Sequence, residues 1–145
     1  ALFFVRDVLV GSDLGASWLL VSLGLPLYAV TIAIVLERKK HLTFKILAGA
    51  PELASGEDPG VLLCEGIYAR IRHPRYLEFL LGGTAWALIL NYSGVYWMML
   101  ATVVGIFLIV PIEEKELRHR FGKQYEEYCE RVPRFVPRLG KRRDP

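Results

Sequence analysis

Three stretches of the sequence are almost free of charge, and their lengths restrict the folds open to the chain. Residues 17–36 contain no Asp, Glu, Lys or Arg, and about 20 such residues in a helix cross the hydrocarbon core of a bilayer. Residues 77–90 and 95–112 are also apolar, apart from Glu78. Because 53% of its 145 residues are hydrophobic and its mean hydropathy is +0.33, the chain is predicted to be a single membrane domain, 1–145.

The second and third stretches are predicted to form a helical hairpin with spans at about 75–90 and 95–112. Residues 91–94, Asn-Tyr-Ser-Gly, are typical of a tight turn. As a helix, the apolar part of the first arm would measure only about 21 Å, which is less than the roughly 30 Å core. We therefore expect that arm to begin at the membrane boundary. Gly82 and Gly83 would let another helix approach it closely.

An amphipathic helix is predicted after the last span, over about residues 113–132. Apolar and aromatic residues recur there at spacings of three and four, at Leu117, Phe121, Tyr125, Tyr128 and Val132. This spacing is typical of one face of a helix. Such a helix would lie on the membrane surface or fold back over the protein.

The distribution of basic residues predicts the orientation. All 18 Lys and Arg residues except Arg6 lie within residues 37–76 or 113–145, which a three-span topology places on one side. The positive-inside rule makes that side cytoplasmic. The predicted fold class is an all-α, multi-pass membrane protein with about three transmembrane helices, one span plus a hairpin, followed by a cytoplasmic amphipathic helix. Basic residues 141–143 are predicted to contact anionic lipid headgroups rather than nucleic acid.

Polar side chains are concentrated in residues 66–76, just before the hairpin. This segment carries Tyr68, Arg70, Arg72, His73, Arg75 and Tyr76. Pro74 favours an extended His73 and suits the first turn of a helix, so we expect His73 at a bend where the chain enters a helix. The free N–H groups of that turn, beside these cations, would suit a carboxylate or phosphate. Anchoring of a membrane helix at the interface is the alternative interpretation.

Two adjacent acids, Glu113 and Glu114, leave the third stretch on the same side as this motif. Carboxylates at the end of a hydrophobic helix are costly unless they are paired or hydrogen-bonded. In one interpretation they pair with the arginines of residues 66–76 and lock the hairpin. In the other, the two groups flank a ligand that carries separated charges. The sequence leaves both open.

The two motifs together resemble the isoprenylcysteine carboxyl methyltransferase family, and the related phospholipid N-methyltransferases look similar. The resemblance covers about residues 60–138, and two patterns carry it in the same order and with a similar gap: Gly66-x-Tyr68-x-x-x-Arg72-His73-Pro74-x-Tyr76, then Glu113-Glu114-x-x-Leu117-x-x-x-Phe121-Gly122-x-x-Tyr125-x-x-Tyr128-x-x-x-Val132-Pro133-Arg134. It implies an integral membrane methyltransferase that uses S-adenosylmethionine at the cytoplasmic face. The implied partner is a lipophilic or small methyl acceptor, a carboxylate, thiol or amine, reached among membrane lipids.

The resemblance also implies roles for individual residues. The cofactor site would comprise Tyr68, Arg72, His73, Pro74, Tyr76, Glu113 and Glu114. Arg72 or His73 would meet the cofactor's carboxylate, and the two glutamates its ribose hydroxyls or amino group. Arg72 and Glu113 would also act in catalysis. No metal site is expected, because the cysteines and histidines lack ligand spacing.

Two other functions fit parts of the pattern. Membrane reductases of the sterol-reductase type, which use NADPH, have a similar Tyr and Arg-His-Pro pattern. The Glu113-Glu114 and Phe121-Gly122 pairs favour the methyltransferase. A non-enzymatic membrane module is the third hypothesis.

Overall fold

The computed structural model describes residues 11–47 and 62–137, with side chains for residues 11–40 and 62–137. Within these ranges the regular elements are four α-helices and one 3₁₀ turn, so the all-α prediction is confirmed there. The basic residues 141–143 lie outside the described part of the chain.

The first helix, α1, covers Trp18–Leu47 and contains Pro26. It contains the predicted span 17–36 almost entirely but does not end with it. The reason is that charged residues end the apolar stretch without ending the helix, since Glu, Arg, Lys and Leu are all good helix formers.

The hairpin has the predicted form. Helix α2 covers Pro74–Leu90, and Asn91 ends it in the left-handed conformation with φ of 50°. Helix α3 covers Ser93–Phe121 and includes Pro111. The turn is shorter than the predicted 91–94, because only Asn91 and Tyr92 lie between the two helices and Ser93 already begins α3.

Residues 11–15 pack over this turn. Ser93 N–H donates to the Ser12 carbonyl at 3.0 Å, and Leu14 N–H donates to the Asn91 carbonyl at 3.1 Å. The Asn91 amide also donates to the Gly15 carbonyl at 2.7 Å. These bonds tie the segment before α1 to the far end of the hairpin.

The predicted continuous helix over 113–132 is wrong, because Gly122 divides it. Residues 113–121 continue α3, and a short helix, α4, covers Lys123–Arg131. Gly122 has φ of 52° and ψ of −130°, a backbone conformation that only glycine adopts readily. The predicted apolar face is nevertheless real: Tyr125, Tyr128 and Val132 form a buried cluster against which Leu117 and Phe121 pack.

Helix α2 packs against both α1 and α3, and glycines mark the close contacts. A Cβ atom at Gly82 would lie 3.1 Å from the Thr31 side chain of α1, and one at Gly83 would lie 2.6 Å from the Met99 sulfur of α3. The predicted close approach at these two glycines is confirmed.

Two helices, over Trp18–Lys40 and Ser93–Phe121, are long and apolar enough to span a membrane. The most apolar window of each is only 11% buried within the protein, and large side chains such as Trp97, Phe107 and Ile112 are about 70% exposed. Exposed apolar surface of this extent is typical of helices that contact lipid, which supports a membrane protein.

Candidate functional site

The arginine–histidine motif of residues 66–76 forms a bend between a 3₁₀ turn and helix α2. A 3₁₀ turn over Gly66–Ala69 precedes it. His73 is the N-cap of α2, with φ of −121° and ψ of 60°, and Pro74 occupies the first turn. The predicted position of His73 at the entry to a helix is therefore confirmed.

The segment after α4, residues 132–137, lies directly along this bend, and we call it the strap. The backbone N–H groups of Arg72 and His73 donate to the carbonyls of Pro133 and Arg134 at 2.9 and 3.0 Å. The ring of Phe135 lies 6.0 Å from that of His73. Backbone hydrogen bonds thus join two segments that are about 60 residues apart in the sequence.

Glu114 is the centre of the charge cluster and is 0% exposed. Arg134 of the strap binds it with two hydrogen bonds, Nε to Oε1 at 3.0 Å and a terminal nitrogen to Oε2 at 2.7 Å. Arg72 approaches Oε1 to 3.1 Å and His73 Nε2 to 3.2 Å. This hydrogen bonding to Glu114 raises the pKa of Arg134. A buried carboxylate with this many donors is fully compensated.

Glu113 has a different environment although it is the next residue. Its side chain is 45% exposed, and its Oε2 lies 3.8 Å from His73 Nδ1, beyond hydrogen-bond distance. Tyr76, whose ring lies 5.7 Å from that of His73, also interacts electrostatically with Glu113. Glu113 therefore presents an accessible carboxylate beside the histidine.

Arg72 links the cluster to α4. One terminal nitrogen contacts both Glu114 and the sulfur of Cys129. The Nε atom of Arg72 is buried and has no hydrogen-bond partner among the described residues. A buried cationic donor without an acceptor is costly, so this N–H would gain from donating to an anionic or polar group.

Tyr68 lies at the margin of this cluster. Its carbonyl accepts a hydrogen bond from the Tyr128 hydroxyl at 2.7 Å. Burial raises the pKa of its own phenol, which interacts with the charges of Arg38, Glu78 and Glu113. Burial likewise raises the pKa of Tyr128.

A second buried ion pair joins α1 to α2. Arg38 donates to Glu78 through Nε at 2.6 Å and a terminal nitrogen at 3.0 Å, and the two side chains are 17% and 9% exposed. This pair accounts for the single charge within the second apolar stretch. Sequence reasoning did not pair them, although an isolated acid in an apolar helix and a base at the end of another were signals.

The structure brings most of the sequence-predicted residues together, at Arg72, His73, Pro74, Tyr76, Glu113 and Glu114, with Tyr68 beside them. Glu114 is paired within the protein, as the first interpretation of the two acids expects. Glu113 is 45% exposed, and the interpretation that the acids flank a ligand stays a prediction. Arg70 is exposed, and Arg75 lies 5.9 Å over the Phe79 ring. Arg134, which the sequence motif included without a role, is the main partner of Glu114.

Comparison with known proteins finds relatives for about half of the chain, although no protein-family model matches it. It is 37% identical over 83 residues to Protein-S-isoprenylcysteine O-methyltransferase B of Arabidopsis thaliana, covering 56% of this chain and 42% of that protein. It is 39% identical over 77 residues to Methanethiol S-methyltransferase 2 of Bradyrhizobium diazoefficiens, covering 53% and 29%. It is 32% identical over 79 residues to a Delta(14)-sterol reductase of Mus musculus, covering 52% and 19%.

These comparisons confirm the resemblance to isoprenylcysteine methyltransferases and extend it to methanethiol methyltransferases. The chain spans less than half the length of each of these relatives.

Proposed function

We propose that this chain forms the cofactor-binding part of an integral membrane methyltransferase that uses S-adenosylmethionine. The observation that carries the proposal is the convergence of Arg72, His73 and Glu113 at one end of the hairpin, with the Arg72 Nε donor unsatisfied and the Glu113 side chain 45% exposed. The named methyltransferases among its relatives support the reaction class.

The available groups fit the charges of such a cofactor. Its amino-acid part is a zwitterion, and Arg72, whose Nε has no acceptor among the described residues, suits the carboxylate, because both nitrogens of His73 face glutamates. The half-exposed Glu113 suits the amino group or the ribose hydroxyls. Pro74, Tyr76 and Tyr68 would form the walls. Because the donors around Glu114 already saturate its carboxylate, we assign the contact with the cofactor to Glu113.

The cofactor supplies a methyl group on a cationic sulfonium, already activated for in-line displacement. The chain's own residues therefore need only to hold the reactants in line and exclude water. The cluster holds more cations than acids, with Arg72, Arg118 and Arg134 around two glutamates. This excess favours an anionic acceptor, a thiolate or carboxylate, which needs no general base. An amine acceptor would lose its proton to Glu113.

We further propose three membrane spans, with the site on the cytoplasmic side. Helix α2 has 17 residues, which measure about 26 Å and nearly match a bilayer core. The basic residues around the site support the orientation. A small or lipophilic acceptor could then enter from the bilayer along the exposed apolar faces of the helices.

Binding by purified protein in detergent tests the proposal. We expect calorimetry to detect S-adenosylhomocysteine binding, and Glu113→Gln to weaken it by roughly tenfold or more, since it removes a charged hydrogen-bond acceptor. Glu116→Gln is the matched control, because Glu116 is an exposed acid on the same helix, and it should bind like the unmodified protein.

The same experiment separates the other two hypotheses. The similarity to a sterol reductase keeps the reductase hypothesis open, and the ligand of that hypothesis is NADPH, so a folded protein that bound NADPH instead would be assigned to that class. A folded protein that bound neither ligand would be a non-enzymatic module, and the methyltransferase proposal would be wrong.

A further inference from the structure

The strap contributes the strongest partner of the buried carboxylate. Glu114 Oε1 has three donors, from Arg134, Arg72 and His73, at 3.0 to 3.2 Å. Glu114 Oε2 has a different set: Arg134 at 2.7 Å and Arg118 at 3.8 Å. Among the described residues, Arg134 is thus the only cation within hydrogen-bond distance of Oε2.

This asymmetry determines how the carboxylate is oriented. Without Arg134, Oε2 would lie buried with no close donor, and the carboxylate would gain by turning toward Arg118. Such a rotation would draw Oε1 away from His73. The bidentate geometry of Arg134 prevents it, since a guanidinium fork fixes the plane of the carboxylate it binds.

The orientation of the Glu114 carboxylate in turn determines which nitrogen of the His73 ring faces Glu114 and which faces Glu113. An ionised carboxylate only accepts hydrogen bonds, so the nitrogen that faces it, Nε2, carries a proton. The other nitrogen, Nδ1, is then directed to the accessible Glu113. The backbone of His73 is held by the Arg134 carbonyl. Arg134 therefore restrains the main chain of His73 through its own carbonyl and the side chain of His73 through Glu114.

We propose that Arg134 is a positioning residue, which holds His73 beside the ligand-facing Glu113, through Glu114 and through its own carbonyl. The part that concerns the cofactor rests on the proposed function, because Arg134 would alter affinity for S-adenosylhomocysteine without touching it. The geometry of the binding site then depends on the position of the strap.

Three variants test this: Arg134→Gln, Arg134→Lys and the control Arg131→Gln. Arg131 carries the same charge, and its Nε donates to the Glu127 carbonyl on its own helix, so its loss should leave affinity unchanged. We expect Arg134→Gln to weaken S-adenosylhomocysteine binding between about tenfold and a hundredfold, as small displacements of a binding group do. Arg134→Lys keeps the positive charge but loses the two-point hydrogen bonding of the guanidinium, so its affinity should lie between those of Arg134→Gln and the unmodified protein.

Hydrogen–deuterium exchange of the peptide over residues 70–76 gives a readout independent of any ligand. We expect faster exchange of the Arg72 and His73 amides in Arg134→Gln than in Arg131→Gln. Unchanged exchange and unchanged affinity in folded Arg134→Gln, even with a lower melting temperature, would overturn the proposal, because the contact would then be only structural.

If Arg134→Gln does not fold, Arg134→Lys decides by the same two measurements. If the unmodified protein binds no S-adenosylhomocysteine, the proposed function fails, while the exchange comparison still supports or overturns the positioning role.

Discussion

At the scale of single residues, adjacent acids have opposite environments. Consecutive residues of a helix point about 100° apart, so only one of two neighbours can face the helix packed against it. Glu114 faces the His73 bend and is 0% exposed, whereas Glu113 is 45% exposed. The buried acid organises the cations, and the accessible one remains for a ligand.

Tyr128 provides a residue-scale prediction with a defined pH dependence. Its hydroxyl donates to the Tyr68 carbonyl at 2.7 Å, so Tyr128→Phe should lower the free energy of unfolding by about 1 kcal/mol at neutral pH. Burial raises the pKa of Tyr128 above 10.0. Above pH 10 the unfolded tyrosine ionises while the folded one stays neutral, so its contribution to stability is present below that pH and is lost as pH rises.

Thermal unfolding of the detergent-solubilised protein between pH 8 and pH 11 measures both effects. The unmodified protein should lose stability more steeply above about pH 10 than Tyr128→Phe does. Identical slopes for the two proteins would contradict the role of the buried phenol.

At the scale of elements, α1 and α2 are joined by a glycine contact and by an ion pair. The Thr31 side chain packs at Gly82, and the Arg38–Glu78 pair lies farther along the same interface. Close packing orients the helices, and the ion pair fixes their register, because a bidentate pair forms in only one alignment.

Removing one partner of this pair should destabilise the interface. Glu78→Gln leaves the largely buried Arg38 without its counter-charge, and we expect the free energy of unfolding to fall by about 2 kcal/mol. The double variant Arg38→Leu/Glu78→Leu should recover most of it, since apolar residues of similar size often replace a buried pair without cost. Unfolding by SDS titration measures both; equal losses in the single and double variants would contradict this account.

Gly122 supports a second element-scale prediction. Its φ of 52° separates α3 from α4, while a Cβ atom there would meet nothing within 4 Å. Gly122→Ala should therefore cost about 1–3 kcal/mol through backbone strain alone. Gly105 is the matched control, because it also has open space around it but lies within α3. Thermal unfolding should show Gly105→Ala unchanged or stabilised, and a similar loss in both variants would exclude strain as the cause.

At the scale of the whole molecule, the proposed topology separates the two ends of the hairpin by a bilayer. Ser12, which packs at the turn, would be outside, and Glu116 would be inside; both are exposed. We expect a membrane-impermeant maleimide to label Ser12→Cys in intact cells and Glu116→Cys only after permeabilisation. The unmodified protein reports the background from Cys64 and Cys129. Labelling of both variants from the same side would contradict the three-span topology.

The sequence alone was sufficient for features that depend on neighbouring residues. Local preference or the helix period was enough to predict the turn after Leu90, Pro74 at a helix start and the buried face of Tyr125, Tyr128 and Val132. The structure has these features, although the turn comprises only Asn91 and Tyr92. Helix ends were less predictable. The predicted span 17–36 lies in a helix that continues to Leu47, because several residues beyond the membrane favour helix as well.

The pairing of charges was decided only by the tertiary structure. The sequence contains many arginines and two adjacent acids, and local pattern does not select among them. Glu114 binds His73 and Arg134, which are 41 and 20 residues away, and Arg38 binds Glu78 at a separation of 40. The energy of an ion pair depends on the distance between the charges and on their burial, and both are set by how α1, α2, α3 and the strap pack together.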